Sequence, residues 1–89
     1  MLVITRHVGE SFYIGDTPVT LSAIGRSCIV LRIDESRLVE LAPFEGVMIG
    51  MATCYLTKVT RLNARLAFEA PKDVLILRSE LRRPRTSNR

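Results

Sequence analysis

Residues 70–81 read A-P-K-D-V-L-I-L-R-S-E-L, and how they are read decides the fold. The apolar run at 74–77 is bounded by Pro71 upstream and by charged residues downstream, the pattern of a short β-strand. Pro71 has no N–H to give to a ladder, so it opens the strand or lies in a loop. Lys72 and Arg78 set a cation on either side of this strand. The chain opens with M-L-V-I-T-R-H-V-G-E-S-F-Y-I-G-D over residues 1–16, a second apolar run that also leads into a basic residue, Arg6, followed by His7.

Working inward from both ends, apolar runs that include β-branched and aromatic residues recur at 2–5, 11–14, 19–24, 28–33, 54–59, 64–68 and 74–77, and all read as strands. Gly9, Gly15-Asp16, Gly25-Arg26 and Asn63 punctuate them, because Gly and Asn tolerate turn conformations cheaply. Residues 35–41 fit either a turn or two of helix before Pro43 or a strand. The expected class is all-β, with one domain over residues 1–81. Residues 82–89, R-R-P-R-T-S-N-R, lack an apolar face and read as a flexible basic tail.

Of the 89 residues, 47% are apolar and 25% are charged, which excludes a disordered chain and points to a soluble globular one. A chain this short buries a modest core, so oligomerisation or strand exchange is expected. No apolar run reaches the roughly 20 residues a membrane span needs. Arg6 and Glu10 interrupt any secretory leader, so a cytoplasmic protein with no membrane partner is expected. Cys28 and Cys54 lack metal or redox spacing and read as small buried hydrophobes. The single His7 supports neither a triad nor a metal cluster, so no enzyme, metal or cofactor is expected. Residues 1–51 carry four arginines against six acids, net −2, and residues 52–89 nine cations against three acids, net +6. Such asymmetry points to a polyanionic partner.

At an offset of 35, residues 10–41 repeat in residues 45–76 with seven identities in 32 positions: Glu10/Glu45, Ile14/Ile49, Gly15/Gly50, Leu21/Leu56, Arg26/Arg61, Leu31/Leu66 and Val39/Val74. Strands share a common pattern, so both an internal duplication, with units 1–41 and 42–81, and a plain insertion account for this.

The two terminal stretches together closely resemble the carbon storage regulator family (CsrA/RsmA), small bacterial RNA-binding regulators of translation. Its members begin with a similar M-L-I-L-T-R-R-x-G-E and carry A-P-K-x-V-x-V-x-R-x-E-I near the end. The resemblance implies a small interleaved β-sheet, barrel-like sandwich. It would form either a strand-exchanged homodimer or, given the repeat, a fused single-chain pseudo-dimer. Strand 1, residues 2–7, would lie beside the last strand, residues 74–78, and the pair would bind GGA motifs in hairpin loops of mRNA leaders and of sequestering small RNAs. By the same resemblance Ile4, Arg6 and His7 on strand 1, with Lys72, Val74, Ile76 and Arg78 at the last strand, are the RNA-binding residues. His7 departs from the family's second basic residue and Leu77 from a commoner polar one. If the chain is two fused units, Pro43 stands where Arg78 does, and Glu40-Leu41-Ala42 where Thr5-Arg6-His7 do, which leaves one complete site.

The residue chemistry agrees. Single-stranded loops expose base edges to backbone groups at a sheet margin, while guanidinium groups neutralise phosphate and stack. Without the resemblance, Arg78 reads first as an edge charge that blocks sheet-to-sheet pairing. Gly9, Gly15 and Gly25 read as turn residues, since no phosphate-loop motif is present. Two other functions stay open: a protein-interaction module that antagonises family members by pairing with them, and a non-specific nucleic-acid binder acting through the tail.

Overall fold

The computed structural model describes residues 2–81, which form nine strands and one short 3-10 turn. The strands are β1 (Leu2–His7), β2 (Ser11–Ile14), β3 (Thr17–Ile24), β4 (Ile29–Ile33), β5 (Arg37–Leu41), β6 (Gly46–Ile49), β7 (Ala52–Val59), β8 (Asn63–Glu69) and β9 (Ile76–Arg78). Ser79–Leu81 closes the described chain as the 3-10 turn. The fold is therefore all-β. The basic segment Arg82, Arg83, Arg85 and Arg89 lies outside the described residues. No helix among the described residues is long and apolar enough to cross a membrane.

Two antiparallel sheets carry the strands, one in the order β1-β8-β7-β6 and the other β5-β4-β3-β2-β9. Chain order and sheet order disagree at β1, which leaves its neighbour β2 and joins the sheet of β6–β8. Within β1 the side chains alternate, Ile4 and Arg6 pointing inward and Val3, Thr5 and His7 outward, so the strand has one face to bury. β4 alternates the same way, burying Ile29, Leu31 and Ile33. Both sheets contribute to one core, and β2 is tied to β8 by Phe12 against Phe68, with ring centroids 5.2 Å apart at an interplanar angle of 68°. Edge-to-face contact of this kind adds to the burial of two large side chains.

The two sheets repeat one another at an offset of 35. β1 pairs with β8 as Ile4↔Leu66 and Arg6↔Ala64, and β5 pairs with β4 as Val39↔Leu31 and Leu41↔Ile29. β2 and β3 match as Phe12↔Val19, β6 and β7 as Val47↔Cys54. Even the irregularities recur: the register shifts between Leu21 and Ala23 in β3, and between Leu56 and Lys58 in β7. Gly15 and Gly50 have φ of 61° and 62° at equivalent hairpins, a left-handed conformation that glycine adopts without a Cβ clash. The equivalence runs from β1–β4 to β5–β8, and each first strand is exchanged: β5 is hydrogen-bonded into the sheet of β2–β4 as β1 is into that of β6–β8. β9 is a ninth strand laid on the free edge of β2.

Several expectations shift in detail. Residues 35–41 supply a strand, because residues 37–41 hydrogen-bond to β4 along their whole length. The segment 46–49 was not expected as a strand, yet it pairs with β7 as β6. The last strand begins at Ile76, since Val74 is held in a turn by its N–H donating to the Pro71 carbonyl at 3.0 Å. Asn63 both closes the β7–β8 turn, its carbonyl accepting from the Thr60 N–H at 2.8 Å, and opens β8. Cys54 is buried, whereas Cys28 is half-buried and its Sγ donates to Glu40 Oε2 at 3.4 Å.

Candidate nucleic-acid interface

β1 is the outermost strand of one sheet and β9 of the other, and the two line a single groove. β1 has a ladder to β8 and β9 has one to β2, with none between them among the described residues, so each strand turns an unpaired edge toward the groove. Its walls include Val3, Ile4 and Thr5 from β1 and Ile76, Leu77 and Arg78 from β9. A second hollow continues past Ile76 to Val74, Lys72 and Pro71, with Leu2 and Phe68 on its far side. Free backbone N–H and C=O groups over an apolar floor, with cations at the rim, can receive a flat, hydrogen-bonding ring beside an anion.

The sequence-derived site residues fall into different positions. Ile76, Arg78 and Ile4 meet in the groove, and Lys72, Val74 and Ile76 meet in the adjoining hollow. Ile4 is only 6% exposed, so what strand 1 offers there is mainly its backbone. Arg6 is 4% exposed, the one charged residue buried among those described. Its guanidinium is fully engaged: Nη1 donates to Glu80 Oε1 and to the Ser11 carbonyl, each at 3.0 Å, Nη2 donates to Glu80 Oε2 at 3.1 Å, and Nε donates to the Thr5 carbonyl at 2.9 Å. This is a bidentate fork, the strong geometry for an Arg–carboxylate pair. Arg6 thus ties the 3-10 turn after β9 to β1 and β2, and acts on the groove by holding its walls.

Glu80 is the member that sequence reasoning missed. The hydrogen bonds from Arg6 hold its carboxyl well below the ordinary value, at about 2. The same carboxylate lies 3.6 Å from Arg78 Nε, so Glu80 links the buried arginine to the exposed one. Its legible signal was the S-E-L end of the opening stretch, an acid two residues after a strand arginine. His7 is exposed, with Nδ1 3.3 Å from Glu10 Oε1. The His7 backbone N–H donates to the same oxygen at 2.8 Å and holds the Glu10 carboxyl below its ordinary value.

The equivalent place in the other half differs. β6 has a neighbour only in β7, so the edge corresponding to the one β9 covers on β2 is free among the described strands. Leu41 and Ala42 replace Arg6 and His7, and Pro43 takes the position of Arg78 at an offset of 35. No group of three His, Cys, Asp or Glu side chains capable of holding a metal occurs among the described residues. Burial pushes the Cys54 thiol up to about 12, which leaves it protonated and unreactive.

No family model, curated protein or solved structure matches this chain.

Proposed function

We infer that this protein is an RNA-binding post-transcriptional regulator of the CsrA/RsmA type. It would act in the cytoplasm by occupying GGA motifs in hairpin loops of mRNA leaders, without catalysis. The observation that carries the reading is the groove between the two unpaired strand edges β1 and β9, with Arg78 and Lys72 beside it. Loop bases splayed from a hairpin would meet the strand backbones, where N–H and C=O groups pair with their edges. Arg78 would neutralise the adjoining phosphate, and Lys72 would hold the loop from the far side. Bound across a ribosome-binding site, the protein would block initiation by occupancy alone.

Both walls of the groove come from one chain, so the assembly that follows is a single-chain pseudo-dimer with one site. The repeat in strand register supports this, as does the replacement of Arg6 by Leu41 at the equivalent position. The test is titration into a GGA-loop hairpin and a GGA-to-CCA control, with the mass of the complex read by light scattering. Selective binding that Arg78→Ala weakens about 10- to 100-fold, at one chain per RNA, is expected. Equal binding to both hairpins would sink the RNA reading, and two chains carrying two RNAs would sink the pseudo-dimer alone.

A second reading, a module that pairs with a strand of another family member, is favoured by one observation. Of the terminal strands β1, β5, β6 and β9, only β6 carries no charged residue, and charge is the usual protection of a free edge. Loss of GGA binding by the purified protein, together with tight association with a family paralogue, would select it.

A further inference from the structure

The identity Arg26/Arg61 in the repeat is not used by the β1–β9 groove. Arg26 sits in the β3–β4 turn and Arg61 in the β7–β8 turn, and the two turns have the same backbone. Gly25 N–H donates to the Cys28 carbonyl at 2.7 Å, and Thr60 N–H donates to the Asn63 carbonyl at 2.8 Å. Each arginine is therefore the second residue of an equivalent four-residue turn. The β7–β8 turn is further held by the Thr60 hydroxyl, which accepts from the N–H groups of Leu62 and Asn63 at 3.2 and 3.1 Å.

The two turns open onto one cleft of about 630 Å³, lined by Ile24, Gly25 and Arg26 from one half and Val59, Thr60 and Arg61 from the other. Those are two triplets at an offset of 35, so the cleft is built where the equivalent hairpin ends meet. Ile24 and Val59 form an apolar floor packed on the core. Neither arginine is paired with a carboxylate among the described residues, and no acid lines the cleft. Two like charges converging on one cleft repel each other until an anion lies between them.

We propose that the cleft between the β3–β4 and β7–β8 turns is a phosphate site in which Arg26 and Arg61 clamp one phosphate group from opposite sides. Planar guanidinium groups suit phosphate oxygens in a way lysines do not, and a clamp of two is stronger than either alone. The shared chemistry is a phosphate with further negative charge attached, supplied either by a free polyphosphate or by a nucleic-acid backbone. The site is separate from the β1–β9 groove and does not depend on what that groove binds.

The test uses the full chain with inorganic tripolyphosphate and, separately, a single-stranded uridine oligomer that contains no GGA. Arg26→Ala/Arg61→Ala is expected to weaken tripolyphosphate binding at least about tenfold, and either single change about threefold, because charge-assisted bonds are lost. Arg32→Ala, an exposed arginine on β4, controls for net charge and should change it less than about twofold. In the unaltered protein, amide shift changes on adding tripolyphosphate should centre on residues 24–26 and 59–61. Undiminished binding by the double variant, or shift changes centred elsewhere, would overturn the proposal. Competition by the uridine oligomer for this site assigns it to a nucleic-acid backbone, and tripolyphosphate binding that the oligomer leaves untouched assigns it to a free polyphosphate.

Discussion

The groove between β1 and β9 and the free edge of β6 stand at equivalent positions of the two halves, with the same ladder registers beneath them and opposite chemistry above. On the β2 edge a ninth strand is laid down, a buried arginine is locked to Glu80, and Arg78 is presented to solvent. On the β6 edge no described strand is added, the buried arginine has become Leu41, and Met48 and Phe44 are exposed at 66% and 81%. The same backbone thus supports a charged groove in one place and a plain edge in the other. Strand pairing is set by alternation and turn chemistry, whereas a site is set by a handful of side chains that pairing does not require.

The largest difference between the halves should lie in the core. Phe12 and Val47 are equivalent, but Phe12 is fully buried against Phe68 while Val47 is half-buried. Phe12→Ala should cost about 3–5 kcal/mol and Val47→Ala about 1 kcal/mol in denaturant melts, since the cost follows the buried volume removed. Equal costs would mean that the two halves share the core evenly.

Next comes the groove itself. Arg78→Ala should weaken GGA-hairpin binding about 10- to 100-fold, the value of one or two charge-assisted hydrogen bonds. Arg37→Ala, on the equivalent of strand 1 in the second half, should leave binding within about twofold. A comparable loss from both would place RNA on both edges and remove the asymmetry.

Arg6→Ala should destabilise the fold by about 1–3 kcal/mol, because it removes a buried side chain and its hydrogen bonds. RNA binding should fall with it, as the turn after β9 is released. Leu41 marks how the same position packs without charge, so Arg6→Leu should recover part of the stability and none of the binding. Recovery of both would show that Arg6 serves packing alone.

The Arg6–Glu80 pair also has a pH signature. Glu80 is held at about 2, below the ordinary carboxylate value of 4.5, so the unfolded chain takes up its proton first as pH falls. The stabilisation is complete above about pH 4.5 and is lost as pH falls through about 2. Thermal melts of the protein and of Glu80→Gln should therefore differ at pH 7 and converge near pH 2. A gap that does not change with pH would mean the carboxylate's charge is not what holds the turn.

The smallest effect concerns one backbone position. Gly9 and Phe44 are equivalent, and both have positive φ, 92° and 66°. For a bulky residue that conformation is strained, and the exposed Phe44 ring has little packing to lose. Phe44→Gly should raise stability by about 0.5–1 kcal/mol in denaturant melts, and a loss would show that the ring is packed in solution.

Much of the fold could be read from residue order. Short apolar runs with Gly and Asn between them specified most of the strands, and the offset of 35 matched residues at equivalent places in the two sheets, whose ladders also share their register shifts in β3 and β7. β6 escaped notice because G-V-M-I is brief and begins with glycine. Of the candidate site, Arg78 and Ile76 were legible as a cation and an apolar residue on a terminal strand, and Lys72 as a cation in the loop before it. Arg6 was legible as a residue and misplaced in its setting. Nothing in T-R-H says that the guanidinium turns inward, because that follows from Glu80 and the Ser11 carbonyl arriving from distant points of the chain.

By itself, then, the amino-acid order determined the strands, their inward faces and the charge along them, since these depend on local conformational preference and on hydrophobic periodicity. Only the tertiary structure decided that β1 crosses to the opposite sheet, that β9 covers β2 and leaves β6 free, that Arg6 is buried on Glu80, and that Arg26 and Arg61 share a cleft. Those are contacts between residues far apart in sequence, and they form only where two faces find each other in the packed core.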